Sequence, residues 1–330
     1  MNDSLISKLS CTGITKKEVE FNFFMPINKL SGNSTIRKEF IKNNNVRVVN
    51  TPNGKMEIRN RLLTEHDQKI INAIFYLGEI RVMKDGNIAS FFNEKEILLS
   101  LKMGNNRTSL RNNIKRIADA QYYIPVGSIT RRVSIVKEHI ISKREPDGVK
   151  SHAIVFDPEY IRIYKHDFSI DYKPLFKKIV NIEFPTIPSI IKFIFTRGPR
   201  NKNKIYMLND LLERIGFPIE SDGSMREIKA NLKNYKETLE REYNIIYSIE
   251  NKTIQYVGME DFKILKPLVL KEERIERYIN KKIKYENRTI TILSINKDGD
   301  NGWIIKHEDG EIKINAYLDD LMFLLENTSL

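Results

Sequence analysis

Side chains that could catalyse a reaction are few and scattered in this sequence. No segment matches a Gly-x-x-x-x-Gly-Lys-Ser/Thr loop, a Gly-x-Gly-x-x-Gly motif, a His-Glu-x-x-His zinc motif or an EF-hand loop. A nicking enzyme of the rolling-circle type would need a His-x-His metal pair beside its tyrosine nucleophile, and none occurs. The five histidines are widely spaced and are expected to be ordinary surface or core residues: His66, His139, His152, His166 and His307. We predict no catalytic residue, no metal site, no cofactor and no enzyme activity.

A polar and basic face is predicted on the helix that begins near Asn106. At about 100° per residue, Leu110, Ile114 and Ile117 fall on one apolar side. The opposite side carries Thr108, Ser109, Asn112, Lys115 and Arg116, flanked by Arg107 and Arg111. Asn and Arg can make bidentate hydrogen bonds to adenine and guanine edges, and Ser and Thr can bind bases or phosphates. We predict that this face contacts DNA, although a solvated helix face would have the same composition.

A second helix with a basic face is predicted to begin at Ser224. It would expose Arg226, Lys229, Lys233, Asn234 and Arg241, diluted by Glu227 and Glu237. Basic residues that precede it could clamp phosphates: Lys173, Lys177, Lys178, Lys192, Arg197, Arg200, Lys202 and Lys204. Arg131 and Arg132 are placed in a turn before a predicted hairpin, from which they could reach a neighbouring groove.

The elements that position the first of these helices have the order expected of a winged helix. Capping-box spacing at Thr64 to Asp67 opens one helix, Asn93 caps the next, and Asn105 or Asn106 starts the third after a glycine corner. Strand signals follow at 122–126, 132–142 and 149–156, with a Pro-Asp-Gly turn at 146–148. Pro158 then opens another helix. We predict a winged-helix domain over residues 61–166.

The same order of elements recurs over residues 167–260. An apolar helix is predicted from Pro188, a second over 207–215, and a longer third from a capping box at Ser224. Two β runs follow at 244–249 and 253–257. A second winged-helix domain is therefore predicted, with the repeat lying in the pattern of elements and not in residue identity.

The two ends of the chain are predicted to differ from these domains. Residues 1–60 carry little periodicity and are expected to form a partly irregular arm with one short strand over 20–25. Residues 268–330 are expected to form a small β module around Trp303, with a terminal helix over 316–325 that contacts protein and not DNA. The predicted fold class is α+β, with two tandem winged-helix domains and a small C-terminal β-rich module.

Charge points to a polyanionic partner. The 55 Lys and Arg exceed the 43 Asp and Glu, which gives a formal net charge of +12. Residues 1–60 hold 10 basic and 5 acidic side chains, whereas 261–330 hold 12 and 13, so nucleic acid should meet the first half of the chain. An alternative is that Lys, Asn and Ile are inflated together by AT-rich codons.

The compartment is predicted from what the sequence lacks. Cys11 is the only cysteine, so one chain can build neither a disulfide nor a cysteine-based zinc cluster. No apolar run approaches the roughly 18 residues of a membrane span, and the N-terminus has no signal-peptide pattern. We expect a cytoplasmic protein that does not interact with membranes.

Three segments carry a resemblance to a known family: Leu63-Thr64-Glu65-His66-Asp67-Gln68-Lys69, Ala153-Ile154-Val155-Phe156-Asp157-Pro158-Glu159-Tyr160, and Leu208-Asn209-Asp210-Leu211-Leu212-Glu213-Arg214-Ile215-Gly216-Phe217. Residues 62–258 resemble the iteron-binding plasmid replication initiators (Rep), which have tandem winged-helix domains. The resemblance implies that the first domain mediates homodimerisation and DNA-backbone contacts while the second binds the repeat. It also implies opening of AT-rich DNA and recruitment of host initiation factors or a helicase. Residues 268–330 have no counterpart in that family.

These patterns together predict sequence-specific binding to repeated sites in duplex DNA at a plasmid origin, where the protein initiates replication by recruiting host factors. The alternative is a winged-helix transcriptional repressor without an initiator role, which could use every one of the same DNA-binding residues. A nicking enzyme is a third alternative, and strand cleavage by the purified protein with a divalent metal would establish it.

Overall fold

Helices and short strands alternate along the chain, which makes it an α+β protein, as predicted. The computed structural model describes residues 9, 14–51, 54–126, 129–141, 152–166, 169–170, 173–197, 202–217, 222–258, 264–265, 278–285, 288–298, 302–315, 321 and 325. The helices are α1 Lys16–Glu20, α2 Thr35–Lys42, α3 Glu65–Leu77, α4 Glu94–Ser100, α5 Arg107–Asp119, α6 Pro158–His166, α7 Lys173–Val180, α8 Thr186–Thr196, α9 Leu208–Arg214, α10 Asp222–Asn234 and α11 Lys236–Tyr243.

The strands are β1 Ile14–Thr15, β2 Phe24–Met25, β3 Val46–Thr51, β4 Gly54–Arg59, β5 Leu63–Thr64, β6 Glu79–Val82, β7 Ile88–Phe92, β8 Gln121–Val126, β9 Ile129–Val133, β10 Val136–Ile141, β11 His152–Phe156, β12 Ser169–Ile170, β13 Ile205–Met207, β14 Ile245–Ser248, β15 Thr253–Tyr256, β16 Ile264–Leu265, β17 Lys282–Tyr285, β18 Arg288–Asp298, β19 Gly302–His307 and β20 Gly310–Asn315. The described part of the chain contains no helix long and apolar enough to cross a membrane.

The first unit is built on α3, α4 and α5. Their predicted starts are confirmed, because Thr64, Asn93 and Asn106 are the N-caps. The apolar side of α5 lies in the core, with Leu110, Ile114 and Ile117 fully buried. The three helices pack beside a four-stranded antiparallel sheet of order β10-β11-β7-β6. The β6–β7 hairpin was not predicted.

The strand expected over 132–142 is instead two strands that belong to different sheets. Strand β9 pairs with β8, whereas β10 pairs with β11. Residues 133–136 are all buried, which breaks the alternation of a half-buried strand and marks the crossing of the chain between sheets. The pairing of β10 with β11 confirms the hairpin, but its predicted turn at 146–148 lies outside the described residues.

The N-terminal segment contains more regular structure than the predicted arm. Residues 20–25 are not one strand, because α1 ends at Glu20 and only Phe24 and Met25 are extended. Strands β3 and β4 form a hairpin that pairs with β8, in a sheet of order β3-β4-β8-β9. Phe23 stacks on Tyr122 at 4.1 Å, and the Tyr122 hydroxyl donates to the Phe23 carbonyl. The segment thus contributes to the core of the first unit.

The second unit contains α8 to α11 and the sheet β13-β15-β14. Helix α8 begins at Thr186, earlier than the predicted Pro188. The long helix predicted from Ser224 is two helices, α10 and α11, which meet at Tyr235. Ser224 is therefore inside α10 and is not its cap. Leu232 and Leu239 are fully buried on either side of Tyr235.

The two units share one order of elements. In the first, strand β7 is followed by α4, α5, strands β8 and β9 of another sheet, and then the β10–β11 pair. In the second, β13 is followed by α9, α10–α11 and the β14–β15 pair. In each sheet these three strands are antiparallel, and the strand that comes last in the chain lies between the other two. The orders are β7-β11-β10 and β13-β15-β14. The sequence-level repeat therefore has an equivalent in strand topology.

The two units share one buried cluster, whereas the C-terminal strands have their own. Strands β17 to β20 form a four-stranded sheet around Ile283, Ile292, Trp303 and Ile305. Leu321 and Leu325 are helical and buried against this sheet. The other residues of the predicted terminal helix lie outside the described residues.

Candidate nucleic-acid interface

Helix α5 brings together the first set of predicted DNA contacts. Arg107, Thr108, Asn112 and Lys115 are exposed, and Ser109, Arg111 and Arg116 are half-buried. The Asn106 side chain accepts from the Ser109 amide at 3.0 Å, which fixes the start of the helix and hence the phase of this face. The cap and the buried apolar side of α5 therefore orient these seven polar residues toward or beside solvent.

Arg111 is not simply a solvated cation, because a buried carboxylate binds it in bidentate geometry. Its Nε donates to Glu94 Oε1 at 2.6 Å and its Nη2 to Oε2 at 2.8 Å. Glu94 is 2% exposed and lies on α4, whereas Arg111 remains 41% exposed. The pair joins the two helices of the helix-turn-helix and largely neutralises the Arg111 charge.

Two histidines continue this polar chain into the β10–β11 pair. His152 Nε2 lies 3.4 Å from Glu94 Oε1, and His139 Nε2 lies 3.2 Å from His152 Nδ1. Burial, with the neighbouring His152 as a second cause, lowers the pKa of His139 to about 4, so His139 is neutral at pH 7. We predicted these histidines to be ordinary residues; the structure shows that they link the hairpin to Glu94 and thereby to α5. Their separation in sequence gave no signal of that link.

Arg116 is held in a similar way by Asp67. Its Nε donates to Asp67 Oδ1 at 3.2 Å, and its Nη2 donates to the same oxygen. Asp67 is fully buried and also accepts from the Thr64 backbone amide at 2.9 Å. Asp67 thus completes the capping box of α3 and also fixes an arginine of α5. The capping box alone does not indicate this second role.

Arg131 and Arg132 lie on strand β9 and not in the predicted turn. Arg131 is 9% exposed and pairs with Glu159 at 2.9 Å, so it offers little surface to DNA in this conformation. Arg132 is exposed. Because successive side chains on a strand point to opposite faces, only one residue of the pair can face solvent here.

The second unit presents its predicted contacts on α10 and α11. Arg226, Lys233 and Asn234 are exposed and Lys229 is half-buried, all on α10. Arg241 lies on α11, is 78% exposed and is 3.4 Å from Glu242. The carboxylates Glu227 on α10 and Glu237 on α11 are exposed as well.

The basic residues that precede the second helix-turn-helix lie in different environments. Lys202 and Lys204 are exposed just before β13. Arg197 lies 3.7 Å from Glu20, with its guanidinium 4.3 Å from the centre of the Phe193 ring. Lys192 is 2% exposed and pairs with buried Glu65. Contrary to the prediction, its side chain is therefore not available to a phosphate. Arg200 lies outside the described residues.

Within the described ranges, no three His, Cys, Asp or Glu side chains are placed to hold a metal ion. No known family model matches the sequence, and no curated protein matches it. Among solved structures, the crystal structure of domains 2 and 3 of RctB is similar at 15% identity, with a TM-score of 0.43, over 82% of this chain and 90% of that chain. Identity and score at this level establish neither a family nor a function.

Proposed function

We propose that the protein binds duplex DNA in a sequence-specific manner through two winged-helix units, residues 61–166 and 167–260. The observation that supports this most strongly is the repeated topology: in each unit a strand, two or three helices and a strand pair belong to one sheet order, with the first strand next to the last. A winged helix has this order, and its last helix before the strand pair lies in the major groove. Helix α5 in the first unit and the α10–α11 pair in the second occupy that position.

The exposed residues of these helices have the chemistry that groove binding requires. Asn112 and Thr108 on α5 and Arg226 and Asn234 on α10 can form hydrogen bonds to base edges. Lys115 and Lys233 can contact phosphates, and Lys202 and Lys204 extend the positive surface before β13. We infer that base contacts come from both helices, with the formal charge of +12 adding sequence-independent affinity.

The biological role that we propose is initiation of plasmid replication, without catalysis, through binding repeated sites at an origin and recruiting host initiation factors or a helicase. It is supported by the resemblance of three sequence segments to iteron-binding initiators and by the presence of two DNA-binding units in one chain. The separate C-terminal core offers a surface for a protein partner. A homodimer through the first unit belongs to the same proposal, and sedimentation with and without repeat DNA tests it.

Selection of bound duplexes from a random pool tests the DNA-binding part. We expect enrichment of one motif, protection of that motif from nuclease, and weaker enrichment with Asn112→Ala. A pool that stays random through successive rounds would contradict sequence-specific binding. The selected sites then distinguish the roles: an initiator should maintain a plasmid that carries tandem copies and the gene, whereas a repressor should only silence a promoter that carries one copy.

A further inference from the structure

We propose that a cleft beside α5 binds a nucleoside phosphate. The cleft has a volume of about 650 Å³ and lies between α2, the base of the β3–β4 hairpin and α5. Pockets of roughly 300–1,000 Å³ hold small organic ligands. A duplex is too wide for such a cleft, so the ligand is a free nucleotide or one nucleotide of a single strand.

The charge of the cleft favours an anion. Four cationic side chains and no carboxylate line it: Lys29, Arg37, Arg61 and Arg116. Carboxylates behind the wall offset two of these charges, since Asp67 binds Arg116 and Asp119 lies 3.6 Å from Arg61. Lys29 and Arg37 are exposed, and in the part of the chain that the structure describes no carboxylate lies within ion-pair distance of either. These two side chains are therefore available to phosphate oxygens.

Neutral polar groups in the same cleft match the edge of a nucleobase. The Asn60 amide nitrogen donates to the Asp119 carbonyl at 3.2 Å, and the Asn113 amide nitrogen donates to His66 Nε2 at 3.2 Å. Among the described residues no donor is bonded to the side-chain Oδ1 of Asn60 or of Asn113, so both oxygens can accept from a ligand. Burial lowers the pKa of His66, which favours the neutral form of its ring.

An apolar wall completes the cleft. Leu30, Phe40, Ile41 and Leu62 line it, and Ile41 is 58% exposed although it is a large aliphatic residue. A flat base could cover this exposed surface while its phosphates reach Arg37, which lies three residues, about one helical turn, before Phe40 on α2. An inorganic anion would use the cations alone and leave the apolar wall in water.

Occupancy of the cleft would act on α5, because Ser109, Asn113 and Arg116 of that helix line it. This consequence rests on the proposed function, whereas binding of the nucleotide itself does not. A ligand that contacts Arg116 competes with Asp67 for its guanidinium and thereby alters the face that we propose for DNA. We infer that nucleotide and duplex binding are thermodynamically coupled.

Titration of the full-length protein with a fluorescent ATP analogue tests the site. We expect saturable binding that ATP reverses, and a loss of at least about tenfold in affinity for Arg37→Ala, as removal of a charge-assisted hydrogen bond predicts. Lys38→Ala is the matched control, because Lys38 is exposed on the same helix but does not line the cleft. It should change the affinity less than about twofold.

Competitors identify the chemistry and its source. ATP should compete better than adenosine or inorganic triphosphate, because only ATP uses both walls. Stronger competition by single-stranded oligothymidylate than by thymidine triphosphate assigns the cleft to a DNA strand, and the reverse order assigns it to a free nucleotide; both orders support the proposal. Absence of saturable binding below about 10 mM, equal losses in both variants, or equal competition by triphosphate would overturn it.

The coupling is measured separately, as duplex affinity with and without saturating ATP. A change in duplex affinity that Arg37→Ala abolishes supports the coupling, and an unchanged duplex affinity refutes it. Absence of any duplex binding would instead refute the proposed function while leaving nucleotide binding intact, so the two failures are distinguishable.

Discussion

The two helices that we propose to contact DNA, α5 and α10, differ in how their cations are held. On α5, Arg111 and Arg116 are bound by the buried carboxylates of Glu94 and Asp67. On α10, no carboxylate of the described residues lies within ion-pair distance of Arg226 or Lys233. Pairing lowers the net charge that a phosphate meets but fixes the side chain in one orientation. We therefore expect the α5 face to contribute side chains held in a fixed orientation, and the α10 face to contribute electrostatic attraction.

The arrangement of the two faces depends on the contact between the two units. Lys192 of α8 binds Glu65 of α3 and donates to Gln68 at 2.8 Å, all in the core. Burial lowers the pKa of Lys192, which leaves it dependent on Glu65 for its charge. We expect Lys192→Met to destabilise the protein by about 3 to 5 kcal/mol, because Glu65 is left buried and unpaired. Urea unfolding measures the change.

Two controls separate the buried pair from the general loss of a lysine. Lys178 lies 3.7 Å from Glu242 and is 53% exposed, so Lys178→Met should cost less than about 1 kcal/mol. The double variant Glu65→Met with Lys192→Met should recover most of the loss. Equal effects of Lys192→Met and Lys178→Met would show that the buried pair does not join the units.

The next expected effect concerns the support of Arg111. Glu94→Gln keeps the shape of the side chain but removes the charge that Arg111 and His152 share. We expect a loss of about 1 to 3 kcal/mol in the free energy of unfolding, as for a buried charged group that loses its partners. Glu96→Gln is the control, because Glu96 is exposed on the same helix. If both variants unfold at the same denaturant concentration, the Glu94 network contributes no stability.

Base contacts should be visible as selective losses. Asn112→Ala on α5 and Arg226→Ala on α10 should each weaken binding to the selected duplex by about 1 to 3 kcal/mol and leave binding to random duplex nearly unchanged. Glu227→Ala is a control on α10, because removal of an exposed carboxylate should strengthen binding to the selected and the random duplex by the same amount. Equal losses on selected and random duplexes would remove the mutated residue from base contacts.

Salt dependence distinguishes the two faces most directly. Lys233→Ala should reduce the slope of log affinity against log salt by about one unit, as one phosphate contact predicts. Arg111→Ala should change that slope by much less, because Glu94 already neutralises Arg111. A full unit of slope lost in Arg111→Ala would mean that Arg111 leaves Glu94 for a phosphate when DNA binds.

Local signals predicted the helix starts well. The patterns at Thr64, at Asn93 and at Asn105 or Asn106 each predict a helix start within four residues, and Thr64, Asn93 and Asn106 are the caps in the structure. The buried side of α5 was predicted for the same reason, since Leu110, Ile114 and Ile117 repeat at helical spacing. The β3–β4 hairpin was missed because its strands are only partly buried and because β4 pairs with β8, which lies more than 60 residues later.

The candidate site was predictable in its exposed part only. Polar residues opposite an apolar stripe must face outward, so Thr108, Asn112 and Lys115 were found from spacing alone. Their neighbours Arg111 and Arg116 are fixed by Glu94 and Asp67, which tertiary packing brings to α5 from other helices. Lys192 was assigned to DNA because charge suggests exposure, and only the packing of α8 on α3 shows that it is buried.

The smallest expected effect is a dependence of stability on pH that comes from the hairpin side of the Glu94 network. His139 has a pKa of about 4 in the folded protein, against about 6.5 for an unperturbed histidine, because burial disfavours its charged form. Between these values the unfolded chain binds more protons than the folded one, so stability present at pH 7 is lost as pH falls below about 6.5. Since His139 is only half-buried, solvent screening reduces the effect to about 1 kcal/mol.

Comparison of unfolding free energies at about pH 7 and pH 5 isolates this contribution, which is complete only near the folded pKa. His139→Gln cannot titrate, so it should lose less stability over this interval than the wild type does. Lys137→Gln is the control, because Lys137 is an exposed lysine on the same strand. Carboxylates contribute equally to His139→Gln and to the wild type, so their contribution cancels in the difference. The same holds for His66, whose pKa is also lowered by burial. Identical pH dependence in His139→Gln and wild type would show that His139 is as readily protonated in the fold as in water, and that the link from the hairpin to α5 does not rest on a neutral ring.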